Sequence, residues 1–280
     1  MTEARTRRIA FTAICSLCLG LLVAFLALPL IGLFSQAGIG GVPDLLRDPV
    51  VTDALKVTAR TNVIANVLIV LIGTPAAYLL ATRRFRGRGL VVTLIELPLV
   101  LPPAVAGIAL LAAFGTGGLL GSDLASAGII LPFSEWAVVV AIVLVASPFY
   151  VRQAIAAFEA VDGRMIDAAR TLGAGPWRTF GRIVLPLARG GLIAGWVLAF
   201  ARGIGEFGAT IVFAGNVRRS TQTLTLAVYE QLEVHFDVAL AIGVLLVVVS
   251  AVILLAYKLL SGWHGSTSTS RPFFGTSSSA

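Results

Sequence analysis

The chain has 280 residues, 58% of them hydrophobic and only 12% charged, with a mean hydropathy of +0.95. A water-soluble domain carries about 45–50% apolar and about 25% charged residues. This apolar surplus therefore excludes a single soluble core, and it equally excludes a disordered chain. The net charge of +7 comes from 21 basic residues, all Arg except Lys56 and Lys258. They flank apolar runs, as residues that orient membrane helices do, so no nucleic-acid partner is expected and the chain reads as an integral membrane protein.

Six apolar segments, at about 9–34, 55–81, 90–114, 136–158, 187–214 and 238–260, each exceed the roughly 20 residues that cross a bilayer as a helix. They predict an all-α polytopic fold with six transmembrane helices. The first follows Arg5, Arg7 and Arg8, as a secretory leader would, but it is far longer than the about 7–15 apolar residues of a leader core, so a retained helix is expected. Cys15 and Cys18 have C-x-x-C spacing inside that run, where redox or zinc chemistry lacks access and further ligands. They read as small apolar residues.

With the N-terminus inside, fifteen Lys and Arg fall on the cytoplasmic side and five on the outer side (Arg47, Lys56, Arg60, Arg218, Arg219), leaving Arg202 within a span. This bias predicts a multi-pass protein with both termini cytoplasmic. The chain divides into residues 1–54 (tail, first helix and outer loop), a permease-like core at 55–260, and a Ser/Thr-rich tail at 261–280 that lacks apolar periodicity and is expected to be disordered.

In the third span, Pro98, Pro102 and Pro103 follow Glu96 closely, a cluster that breaks a helix and frees carbonyls. A gating or packing kink is expected there. Glu96 lies about 9 Å inside the cytoplasmic end at 1.5 Å per residue, within reach of the interface.

The cytoplasmic stretch 152–186 is long and patterned as helix. Phe158, Val161, Met165, Ala168 or Ala169, and Leu172 recur at three- and four-residue spacings, predicting one apolar stripe. Gly173 ends that helix, Gly175-Pro176 turns the chain, and Trp177, Phe180, Val184 and Leu187 lead into the fifth span with Pro186 at its entrance. Composition leaves two readings open, a helix lying on the bilayer or one docking into a groove of a cytoplasmic partner.

The fifth span carries Arg202, Gly203, Gly205, Glu206, Gly208 and Thr210. Arg202 falls about 22 Å along it, where a charge costs at least about 2.5–3.5 kcal/mol. Four residues apart, Arg202 and Glu206 are expected to pair on one helical face. That pair either neutralises itself as a structural bridge or lines a path in which Arg202 offers donors to an oxyanion. The glycines would permit close helix approach. Neither lysine stands in a G-x-x-x-x-G-K-[ST] loop, so the chain is not expected to hydrolyse ATP.

Asp167-Ala168-Ala169, three residues, Gly173, nine residues, Ile183, one residue, Leu185-Pro186 resembles the E-A-A loop of ABC-importer permeases, with Asp in place of Glu the one departure. The resemblance implies a coupling helix seated in an ATPase subunit, with Asp167, Ala168, Ala169 and Gly173 at the contact. The run Leu97-Pro98-Leu99-Val100-Leu101-Pro102-Pro103, and Phe200-Ala201-Arg202 through Gly205-Glu206-Phe207-Gly208-Ala209-Thr210 to Gly215-Asn216, resemble molybdate permease subunits over about residues 55–260. Sulfate and thiosulfate permeases share much of that core, while Phe207 and Thr210 favour molybdate. The resemblance implies the type I importer fold and two permease copies around a central path. It also implies two ATPase chains that hold ATP and Mg, no cofactor on this chain, and an outer oxyanion-binding protein met by the segment 218–237. Arg202, Gly205, Glu206, Gly208 and Thr210 would belong to the path or gate, and Glu96, Pro98, Pro102 and Pro103 to the kink. A secondary transporter or a structural membrane protein would leave the 158–187 pattern unexplained.

Overall fold

The computed structural model describes residues 2–37 and 47–262, the side chains at 2–7 and 259–262 excepted. Regular structure among the described residues is helical. The helices are α1 (Thr2–Gln36), α2 (Pro49–Thr82), α3 (Arg88–Glu96), α4 (Pro103–Phe114), α5 (Gly121–Ser126) and α6 (Glu135–Glu159). They continue with α7 (Gly163–Thr171), α8 (Pro176–Ile204), α9 (Gly208–Phe213), α10 (Leu224–Val234) and α11 (Phe236–Gly262). Of the tail expected to be disordered, Ser261 and Gly262 continue α11 and the rest lies outside the described residues.

α1, α2, α6, α8 and α11 are long and apolar enough to cross a membrane. The third expected span is not one helix. α3 and its 3₁₀ turn Leu97–Leu99 meet α4 at a bend of 115°. The cause is local: Pro102 and Pro103 lack the N–H groups that would continue the α-helical ladder, and Pro103 instead opens α4 as its first residue, where a missing N–H costs nothing. The fifth expected span also ends early, at Ile204, with α9 following after a three-residue break.

The chain forms two compact units. In one, residues 1–52 and 227–248, α1 has no buried residue across its most apolar stretch, and a Cβ at Gly243 of α11 would stand 3.3 Å from Leu33 Cδ1. In the other, residues 53–226 and the chain from 249 onward, α6 is the centre. Ser134 caps it by accepting the Ala137 N–H, and Ala137, Val138, Ala141, Ile142, Val145, Tyr150, Val151, Ala154 and Phe158 are buried. Lipid tails are as apolar as these side chains, so helices cohere through close packing rather than through water release. The contact with α8 shows this. A Cβ at Gly191 would stand 2.5 Å from Ala157 Cβ, and one at Gly195 would stand 3.1 Å from the Tyr150 carbonyl. Only glycine lets these backbones approach so closely.

Candidate functional site

Two places carry the residues that the sequence singles out. The first is the segment between α6 and α8. α6 stops at Glu159, and Asp162 starts α7 afresh by accepting the Arg164 backbone N–H at 2.9 Å and the Arg164 side chain as well. Those bonds from Arg164 hold the Asp162 carboxyl below its ordinary range. The restart resets the helical phase, so the expected stripe is split between two helices. Phe158 and Ala169 are buried and Ile166 is half-buried, whereas Met165, Ala168 and Leu172 project outward, Leu172 at 87% exposure.

The end of α7 is a complete Schellman motif. The Gly173 N–H donates to the Arg170 carbonyl at 2.9 Å and the Ala174 N–H to the Ala169 carbonyl at 3.0 Å, with Gly173 at φ +79°. Asp167 is exposed and pairs with Arg170 at 3.4 Å, a surface contact of little energetic weight. Beneath this helix, Tyr78, Phe158 and Phe180 stack with centroids 4.7–6.2 Å apart and join α2, α6 and α8 into a firm base. Arg88 closes the same end, donating to the Leu80 carbonyl and to Glu159, each at 2.7 Å. A cleft of about 830 Å³ opens beside it, lined by Tyr78, Arg83, Ile166, Asp167, Arg170 and Pro176 among others.

α8 enters through a wide π turn at Phe180–Val184, where the Leu185 N–H reaches back five residues to the Phe180 carbonyl. This turn directly precedes Pro186, whose missing N–H an ordinary α-helical ladder would not accommodate. Ile183 and Leu185 are half-buried, Pro186 is exposed, and Trp177 stands out at 87% exposure.

The second place is the break between α8 and α9. Arg202 and Glu206 do pair, at 2.7 Å between Nη2 and Oε2, but not along one helix, since α8 ends at Ile204 and Gly205 caps it. Glu206 lies in the break and is almost fully buried. Its Oε1 accepts the Ala209 N–H at 2.8 Å, and its carbonyl accepts the Thr225 hydroxyl at 2.7 Å. Its Oε2 meets Arg202 as a charge contact without an aligned N–H donor. Arg202 remains 29% exposed. Thr210 is fully buried, with its hydroxyl oxygen unpartnered among the described residues, so it lines no open surface of this chain.

The expected role of the glycines divides. A Cβ at Gly203 would collide with the Asn62 side chain and one at Gly208 with Pro103, whereas Gly205 is exposed with nothing closer than 3.9 Å. The contact with Pro103 joins the two expected signatures, for the break after α3 packs onto the break after α8. Gly107 reinforces it, since a Cβ there would lie 2.9 Å from the Ala209 carbonyl. Glu96 faces Arg152 at 3.7 Å beside the bend.

Sequence reasoning missed a row of buried polar side chains on α2, Thr58, Thr61, Asn62 and Asn66. Thr58 accepts the Leu224 N–H at 2.8 Å and Asn62 donates to the Phe200 carbonyl at 3.1 Å. Four polar residues at helical spacing inside an apolar span are the signal that would have found them.

Residues 69–263 match the family described as binding-protein-dependent transport system inner membrane component. The chain is 42% identical over 233 residues to the molybdenum transport system permease protein ModB of Mycobacterium bovis, covering 83% of this chain and 88% of that one. It is 41% identical over 186 residues to the protein of the same name from Escherichia coli K12, covering 66% and 81%. Its identity to the sulfate transport system permease protein CysT of that strain is 34% over 216 residues, covering 77% and 78%. Among solved structures, a bacterial alginate ABC transporter in complex with its pentasaccharide-bound periplasmic protein has a chain that superposes with a TM-score of 0.76, covering 94% of this chain and 98% of that one. At 19% identity this is a likeness of fold.

Proposed function

The chain belongs to the binding-protein-dependent transport permeases, and we propose from that premise that it is the membrane-spanning subunit of an ABC importer for molybdate, with tungstate as a related cargo. The observation that carries the reading is the α7 helix. It is short, capped at both ends, set on an aromatic base, and turns Met165, Ala168 and Leu172 away from its own chain. Such a face suits the cleft of an ATPase subunit better than a bilayer surface, because Arg164, Asp167 and Arg170 lie exposed among the apolar side chains. Asp167, Ala168, Ala169 and Gly173 form the contact, with Ile183, Leu185 and Pro186 joining it to α8.

Two copies of the chain pair around the path, two ATPase chains that hold ATP and Mg dock at α7, and a soluble protein delivers the anion from outside. The excess of Arg near α7 supports placing that end, and both termini, in the cytoplasm. This chain binds no nucleotide itself. At the break, Glu206 fixes the backbone of α9, and Arg202, the exposed member of the pair, presents guanidinium donors to the passing oxyanion. Gly208 lets the wall pack closely onto Pro103, and Gly205 leaves open space next to the pair.

The relatives that transport molybdenum match at higher identity than the sulfate permease, and this favours molybdate over sulfate or thiosulfate. The test is uptake of labelled molybdate in cells lacking this chain, with and without the restored gene, under excess sulfate. Rescue with weak competition by sulfate supports the reading. Unchanged molybdate uptake with a loss of sulfate uptake keeps the importer and overturns the cargo.

A further inference from the structure

Two residues other than glycine among the described residues adopt left-handed backbone, Phe133 at φ +56° and Arg219 at φ +66°. This conformation costs an L-residue about 1–2 kcal/mol, and residues held in it cluster where the backbone is over-determined for function. The two lie on neighbouring loops. The Phe133 N–H donates to the Phe213 carbonyl at 3.3 Å, and a Cβ at Gly215 would lie 3.0 Å from the Phe133 ring. Four residues after Gly215 comes Arg219.

The loop between them is tied from within. The N–H groups of Ser220, Thr221 and Gln222 converge on the Val217 carbonyl at 2.9–3.1 Å, and Thr221 Oγ1 accepts the Val217 N–H. Arg218 and Arg219 both direct Nε toward a single oxygen, Asp53 Oδ2, at 3.2 and 2.9 Å. One guanidinium neutralises one carboxylate and suffices to latch this loop to α2. The second leaves a net positive charge, and it stands on a strained backbone where Gly or Asn would fit freely, with its side chain 75% exposed. Phe133 is also out in the open, at 63% exposure. A groove of about 490 Å³, lined by Leu111, Gly115, Ile130, Pro132 and Phe133 among others, adjoins it.

A rigidly held aromatic at the rim of a groove, with an over-supplied guanidinium on the neighbouring loop, is the composition of a protein-docking hot spot. We propose that Phe133 and Arg219 are the anchors by which this chain receives a soluble binding protein, with Phe133 entering an apolar recess of that partner and Arg219 pairing with one of its carboxylates. This rests on the importer reading above, which puts this face outside the membrane. An acidic partner surface is favoured over the free anion as the occupant. A guanidinium this exposed is too well screened to hold a small dianion, whereas it steers and orients a large partner efficiently.

The test uses the full transporter in proteoliposomes and its purified, molybdate-loaded binding protein, with ATP hydrolysis read against binding-protein concentration. Phe133→Gly and Arg219→Gly keep the left-handed backbone and delete only the side chain. Each is expected to raise the half-saturating concentration about tenfold, with basal hydrolysis and the saturated rate unchanged. Arg219→Gly should also flatten the dependence on salt. If the half-saturating concentration stays at the wild-type value in both variants, these side chains serve the lipid surface or the fold, and the proposal is overturned. If the wild-type transporter shows no stimulation by its binding protein, the importer reading itself fails first.

Discussion

Gly173 separates backbone from bulk at the α7 contact, because an added Cβ there meets nothing within 4 Å while φ is +79°. Any L-residue other than Asn or Asp therefore incurs the left-handed penalty of about 1–2 kcal/mol, with no steric addition from this chain. Relief of that penalty unwinds the turn, releasing the bonds from Gly173 to Arg170 and from Ala174 to Ala169 that hold the last turn of α7. If the ATPase binds only the wound helix, the penalty appears as weaker docking, about 5- to 30-fold at 1.4 kcal/mol per decade. Titration of the ATPase subunit onto the permease in nanodiscs should show that loss for Gly173→Ala. Gly173→Asn, which tolerates this conformation, should stay near wild type. Gly173→Trp should insert normally yet fail to co-purify with the ATPase. Equal affinity for the Ala variant and wild type would refute the reasoning, and equal losses for Ala and Asn would show that something other than backbone handedness is at work.

Gly191→Leu places a side chain where even a methyl group would stand 2.5 Å from Ala157, so the α6–α8 pair should part and thermal unfolding in detergent should fall by several degrees, with partial recovery in the Ala157→Gly double variant. Arg202→Ala strands the buried Glu206 carboxylate. Breaking a buried pair costs about 3–5 kcal/mol, with the lower end expected here because Arg202 is partly exposed, and Arg202→Ala/Glu206→Gln should be more stable than Arg202→Ala alone in the same melt. Asp162 caps α7 as a carboxylate whose pKa lies below the ordinary Asp value, so its contribution is present above about pH 4 and lost as pH falls through the folded-state value. Amide exchange at Met165 and Ile166 should accelerate over that acid window in the wild type and show no such step in Asp162→Asn.

What was legible in the sequence was local. Gly173 could be read because a left-handed helix end needs glycine whatever surrounds it, and the bend after α3 because Pro102 and Pro103 lack the N–H groups that would continue the ladder. The apolar stripe was legible only in part, because its phase was counted from Phe158 straight through the break at 160–162. Asp162 caps a new helix there, so Phe158 belongs to the buried face of α6 while Met165 and Leu172 face outward. The meeting of Pro103 with Gly208 and the bond from Asn62 to the Phe200 carbonyl join residues about a hundred or more positions apart, and periodicity carries no information at that range.

The break after Ile204 bears on how the charged pair should be understood. Had Arg202 and Glu206 shared one continuous helix, each would have been an equal half of a bridge. Instead Glu206 is committed three times over, through the Ala209 N–H, the Thr225 hydroxyl and Arg202, and it is all but closed off from solvent. Its negative charge is a fixture of the backbone at the break. Arg202 has one charge contact and an open side, and it stands at the end of the helix that begins at Pro176 beside α7. In the proposed importer, a push delivered at α7 would reach the meeting of Arg202 and Glu206 through α8, which packs closely on α6 at Gly191 and Gly195. The proposed function thus divides the pair into a structural acid and a transporting base, and it predicts that Arg202→Lys preserves the fold in a detergent melt while weakening labelled-molybdate uptake, because Lys keeps the charge and loses the planar fork of donors.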